Sequence, residues 1–218
     1  WATIIPGNMW LTYVGRLAFP IFAFQIAEGY RHTHDLKAYK KRLLIFGLIS
    51  EIPFNLAMGS RIFYPIHQNV LWSFLISIGL IHWNEKTKEK EIWKRVLVAI
   101  LSVLIAYIVG IITFVDFYNA GILTVLVFYF FRQRKWWSYV GQFVCLYYIN
   151  VEMLGGLVYE IPMFDGIFYL HRQGLALLAL IPIWLYHGKQ GYHSKTLRRI
   201  YYWFYPIHLL VLGLLKMI

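Results

Sequence analysis

Four ionisable residues stand inside otherwise apolar stretches: Arg16, Glu28, Glu51 and Asp116. A charge held within hydrocarbon is costly, so each is a functional candidate by default. The densest set lies in residues 15–42, GRLAFPIFAFQIAEGYRHTHDLKAYKKR. Glu28 precedes His32 by one helical turn, so on a continuous helix the two share a face. A carboxylate that orients and charges an imidazole is a general-base arrangement. The ordinary alternative is an interfacial hydrogen-bonded pair beside anionic headgroups, and spacing alone slightly favours it. Arg16 can also snorkel to an interface. Glu51, just before Pro53, should share the depth of Arg16 near the outer side. An Arg16–Glu51 ion pair there would be structural or would line an acceptor passage. Asp116, at the face opposite His32, would support the base, bind the acceptor or cap the next helix. Asn69 and Gln68 are neutral donors near that face, and Asn69 is a candidate N-cap. His208, within the last apolar run, reads most simply as a helix–helix contact.

Lys40, Lys41 and Arg42 form a basic cluster where a second apolar run begins. They suit a phosphate cradle, with Arg42 able to make bidentate contact. The lysines serve equally as an anchor to anionic lipid. His171 and Arg172 could meet an anionic acceptor. His32 and His34 carry no HExxH or paired-Cys context, so no metal is called for. The single Cys145 excludes an intrachain disulfide and reads as packing.

These residues must be positioned by helices in a bilayer. The 218 residues are 60% hydrophobic and 14% charged, with mean hydropathy +0.56, whereas soluble domains are about a quarter charged. The net charge of +11 does not point to nucleic acid, because the cations sit in short loops between apolar runs. Segments 31–42, 84–95, 132–135 and 188–199 hold five, five, three and four of the 21 Lys and Arg. They are expected on the cytoplasmic side. The reading is a single all-α domain over 1–218, a polytopic bundle of about eight spans. The spans fall near 9–30, 43–58, 70–83, 96–114, 120–131, 136–149, 174–187 and 200–217. A polar lead-in precedes them, and the acidic segment 151–173, with Glu152, Glu160 and Asp165, is expected to hold a re-entrant or interfacial helix. Eight spans would leave both termini outside, so a ninth helix is expected upstream of Trp1.

The stretches GRLAFP (15–20), EGYRHT (28–33), YKKRLLIFGLISEIP (39–53), Asn69-Val70, DFYNAG (116–121) and FYPIHL (204–209) together resemble the TraX family. Those integral-membrane proteins are named for acetylation of conjugative pilin, and the family looks like part of a wider group of transmembrane acyltransferases. The family's first helix typically ends in an Asp-His pair, a natural base, which has no counterpart in this sequence. The resemblance implies acetyl transfer from cytoplasmic acetyl-CoA to an acceptor at the outer face of a bacterial cell membrane. The acceptor would be a surface glycan, a lipid-linked sugar or a protein amine such as pilin. On that reading His32, Glu28 and Asp116 are catalytic candidates. Arg42, Lys41 and Lys40 hold acetyl-CoA; Arg16, Glu51 and Asn69 meet the acceptor. A proton-coupled transporter or flippase, and a non-catalytic membrane assembly factor, are the competing expectations.

Overall fold

The structure, a computed structural model, describes residues 9–163, 166–188, 191 and 194–217. The lead-in 1–8, Asp165 of the acidic segment and Lys189 of the last basic segment lie outside the described residues.

Among the described residues there are eight α-helices: α1 Met9–His32, α2 Leu36–Gly59, α3 Val70–Lys86, α4 Ile92–Ile112, α5 Tyr118–Phe130, α6 Trp136–Tyr147, α7 Leu180–Leu185 and α8 Lys195–Met217. Four of them, α1, α2, α4 and α8, are long and apolar enough to cross a membrane. The 13 residues of α5 reach about 20 Å, short of a hydrocarbon core of about 30 Å. The expected seventh span is instead a 3-10 segment, Arg172–Ala179, running into the six-residue α7.

Segment 151–173 departs from expectation. A π turn, Tyr148–Met153, ends α6, and a two-stranded antiparallel hairpin follows. Strand β1, Val158–Met163, pairs with β2, Gly166–His171, in a register from Val158↔His171 to Met163↔Gly166. Gly155 and Gly156 adopt φ +52 and +95, which end the helix at no steric cost. The basic cluster also moves: Lys37, Lys40, Lys41 and Arg42 belong to the first two turns of α2 rather than to a loop. Asp35 caps that helix, its carboxylate accepting the Ala38 N–H at 2.9 Å.

Helix α5 is the hub. It is apolar all round and buries Ile122, Val125, Leu126 and Phe128 against α1, α3, α4 and α6. Gly110 allows α4 to lie against the start of α5, since a Cβ there would come within 2.5 Å of the Asn119 nitrogen. The polarity of the bundle suits lipid. Ser73, Ser77, Ser102, Thr124 and Asn84 are buried inside it, while α4 turns Leu97, Ile100, Leu104, Ile108 and Ile111 outward. Small polar residues between helices and aliphatic ones outside are the arrangement expected where hydrocarbon is the solvent. Helices α2 and α8 run parallel, joined near their starts by Arg42 and Tyr202 and near their ends by Lys216 and the carbonyls of Ala57 and Met58.

Candidate functional site

Polar groups gather at the two opposite ends of the bundle. At the end away from the basic segments, Asn69 closes the loop between α2 and α3. Its Oδ1 accepts the Leu71 N–H at 3.1 Å, so the expected N-cap is present. Its Nδ2 donates to Gly47 O at 2.9 Å and to Glu51 Oε2. Trp72 Nε1 donates to the same Glu51 oxygen at 3.0 Å. The other carboxylate oxygen, Oε1, is buried without a partner. A buried half-bonded carboxylate is unusual enough to require a reason.

Asp116 lies beside this group in the turn between α4 and α5. A bridge ties the turn to the α2–α3 loop: Gln68 N–H donates to Phe114 O and Asp116 N–H to Gln68 O, each at 2.8 Å. Ser73 Oγ donates to Asp116 O at 3.0 Å. The Asp116 carboxylate accepts the Phe117 N–H at 3.1 Å and lies 3.2 Å from His67 Nε2. An ionised carboxylate only accepts, so Nε2 carries the hydrogen and Nδ1 is left to take a proton. The His67 ring stands edge-on to Phe54 and parallel to Tyr118, with centroids 5.0 and 6.3 Å away. Three non-glycine residues of the turn have left-handed backbone: Phe114 at φ 51, Phe117 at φ 60 and Tyr118 at φ 47. Such strain costs about 1–3 kcal/mol per residue and collects at functional sites. Tyr205, from α8, packs against the Val70 backbone within electrostatic range of Asp116 and Glu51.

Two sequence expectations are corrected here. Arg16 and Glu51 make no ion pair, because Asn69 and Trp72 take the Glu51 carboxylate while Arg16 lines a separate cleft. Nor does Asp116 cap α5; Phe117 occupies that position, and Asn119 supplies the nearby side-chain bond to the Ala120 N–H at 3.0 Å.

At the basic end, Glu28 and His32 do meet, Oε2 to Nε2 at 3.3 Å, with Arg31 at 3.9 Å. Glu28 is mostly covered, whereas His32 is 58% exposed. Tyr30 Oη and His82 Nδ1 lie 3.0 Å apart one helix inward. Arg42 Nε donates to Tyr202 Oη at 3.1 Å, and its carbon sits 5.9 Å from the Tyr39 ring centre. That leaves the two terminal nitrogens of the fork for an anion. Lys40 lies within electrostatic range of His82, and Lys41 is exposed on the same turns. Cations at a helix start oppose the macrodipole, and an incoming phosphate relieves both. Past the apolar run of α3, Glu85 accepts from Arg132 Nη1 at 2.8 Å and Tyr129 Oη at 3.0 Å. Burial disfavours its charged form, but Arg132, Tyr129 and Lys88 outweigh that and hold the carboxyl below its ordinary range.

His67, Trp72 and Tyr205 were not singled out in the sequence. His67 sits in an irregular loop, GSRIFYPIHQN, where no periodicity marks a partner. The catalytic candidates therefore divide: Glu28 and His32 at one end, Asp116 at the other. Arg16 and Glu28 are twelve residues apart on α1, about 18 Å along its axis.

A family model described as TraX protein matches residues 4–216. The chain is also 26% identical over 216 residues to a probable fimbrial assembly protein, FimC of serogroup H1, from Dichelobacter nodosus, covering 95% of this chain and 83% of that one. No solved structure matches.

Proposed function

This chain belongs to the TraX family, and on that premise we propose that it is a multi-pass membrane acetyltransferase. It draws acetyl-CoA from the cytoplasm and serves an acceptor at the outer face of a bacterial cell membrane. The helices and shorter apolar segments together form about eight membrane-embedded passes, with the basic segments cytoplasmic. The acceptor is a surface glycan, a lipid-linked sugar or a protein amine such as pilin.

The observation that carries this reading is the His67–Asp116 pair, fixed in a strained turn beside the half-bonded Glu51. His67 Nδ1 takes the proton of the acceptor hydroxyl or amine as its oxygen or nitrogen attacks the thioester carbonyl. Asp116 keeps the imidazole oriented and stabilises it once charged. At the basic end Arg42, Lys41 and Lys40 hold the coenzyme phosphates at the start of α2. The C–S bond breaks, and the leaving thiolate takes its proton from the charged His67 imidazole, which restores the base; Glu28 and His32 flank the coenzyme's path at the basic end. Glu51 and Asn69 shape the acceptor side, with Arg16 in the adjoining cleft.

Purified protein in nanodiscs, given acetyl-labelled acetyl-CoA and a membrane fraction as acceptor source, should consume the thioester and label the acceptor. Absence of both binding and turnover would remove the enzyme. The second reading, a membrane assembly factor without catalysis, is favoured by the D. nodosus relative, which is named a probable fimbrial assembly protein. It would then stand.

A further inference from the structure

Among the Lys and Arg residues, four stand outside the basic segments: Arg16, Arg61, Arg172 and Lys216. Two have evident structural places. Lys216 Nζ donates to Ala57 O and Met58 O at 3.1 and 3.0 Å and so caps the carbonyl end of α2. Arg61 is exposed in the loop after α2. The other two come from distant parts of the chain and face one cleft of about 150 Å³, lined also by Phe117, Gly155, Gly156 and Gln173. They are close enough to repel one another. Among the described residues neither has an ion-pair partner. Arg16 Nε is buried with no acceptor. Asp116 is the compensating charge in range, and its carboxylate is already engaged by His67.

Two guanidiniums converging on a partly dehydrated space are unfavourable by like-charge repulsion and by an unmet donor. One anion relieves both. The backbone opposite is suited to the same guest. Leu154 is right-handed helical, with φ −84 and ψ −33, and Gly155 follows at φ +52. The Leu154 N–H is spent on Ile149 O at 3.0 Å, so the backbone donors of this turn that can meet an anion are those of Gly155 and Gly156, both lining the cleft.

We propose that the Arg16–Arg172 cleft binds a phosphate group, and that the acceptor is therefore a phosphorylated molecule. The binding site stands on the cleft alone; calling its ligand the acceptor rests on the acetyltransferase reading. The shared chemistry is phosphate, carried either by a lipid or by a soluble or polymeric molecule.

The test uses the whole chain in phosphatidylcholine nanodiscs, without acetyl-CoA, and equilibrium dialysis against radiolabelled inorganic phosphate. Saturable binding is expected, weakened about tenfold or more in Arg16→Gln and in Arg172→Gln, retained in part in Arg172→Lys and unchanged in Arg61→Gln. Replacing part of the phosphatidylcholine with phosphatidylglycerol separates the sources. Displacement of phosphate assigns the site to a lipid headgroup; Arg-dependent binding that persists assigns it to a non-lipid phosphate. No saturable binding by the unaltered protein, or binding indifferent to both arginines, overturns the proposal even if a variant misfolds. Phosphate binding without acetyl transfer would instead sink the enzyme and leave the cleft standing.

Discussion

Asp116 and His67 lie 49 positions apart and meet only because Gln68 bridges the α2–α3 loop to the α4–α5 turn. A pairing made by loop geometry has no periodic trace. Glu28 and His32 were legible because a helix alone sets their spacing. Asn69 was legible for a similar reason, since an N-cap precedes an apolar run. What spacing could not show was which pair is covered: His32 is exposed, while His67 lies between Phe54 and Tyr118. Replacing His67 with Gln should lower acetyl transfer by about 10²–10⁴-fold, the usual worth of a positioned base. Asp116→Asn should lower it in the same direction, leaving acetyl-CoA binding intact in a dialysis assay. Equal activity in both variants would remove the base. Glu85 gives a pH prediction. Its folded pKa is depressed, so its contribution is complete above the usual carboxylate value of about 4.3 and is lost as pH falls through the lower folded value. Glu85→Gln should cost about 1 kcal/mol at neutral pH, given the partial exposure of the Arg132 partner. The gap in thermal midpoint between variant and parent should close in strong acid.

Helices placed the sequence candidates well wherever the apolar run was long. Helix α4 was plain from composition, and α2 began earlier than its apolar residues because Asp35 caps it and Lys37–Arg42 are good helix formers. The hairpin leaves little trace in the sequence because its strands are six residues each and follow two glycines, so neither helical nor strand periodicity has room to declare itself. The pairing of α2 with α8 was equally hidden, being a contact between the second apolar run and the last. It depends on Gly213, where a Cβ would stand 2.8 Å from Leu56 Cβ and 3.0 Å from the Ala57 nitrogen. Small residues let helices approach in lipid, where no hydrophobic force holds them together. Gly213→Leu should therefore part α8 from α2 and cost about 1–3 kcal/mol, as overpacking does. Thermal unfolding in detergent measures this. Because Lys216 and Tyr202 lie on the same helix, loosening it should also free Arg42 and raise the acetyl-CoA dissociation constant. An unchanged midpoint would mean that the backbone gives way without loss.

The whole molecule is divided by charge. Among the described residues the Lys and Arg gather at one end except for the four already placed, and the carboxylates Glu51 and Asp116 stand at the other. In a bilayer that division sets orientation, because Lys and Arg in short loops resist export. The proposed two-ended reaction requires this orientation, since in it the thioester would be met by α2's first turns and the acceptor by the His67–Asp116 turn. The arrangement can be tested without any assay of chemistry. With Cys145 changed to Ser, single cysteines at Lys88 and at Arg61, both exposed, report the two ends. A membrane-impermeant maleimide should label the Arg61→Cys variant in spheroplasts and the Lys88→Cys variant only after the membrane is opened. The same pair of sites then orders the functional variants. Arg42→Ala and Glu28→Gln, at the Lys88 end, should raise the concentration of acetyl-CoA needed for half-maximal rate. His67→Gln, at the Arg61 end, should lower the rate at saturation and leave that concentration unchanged. Labelling of both cysteines from one side would place base and coenzyme in a single compartment. The proposed reaction across the membrane would then have no basis, since it needs the separation of charge that orients the bundle to set its two half-sites on opposite faces.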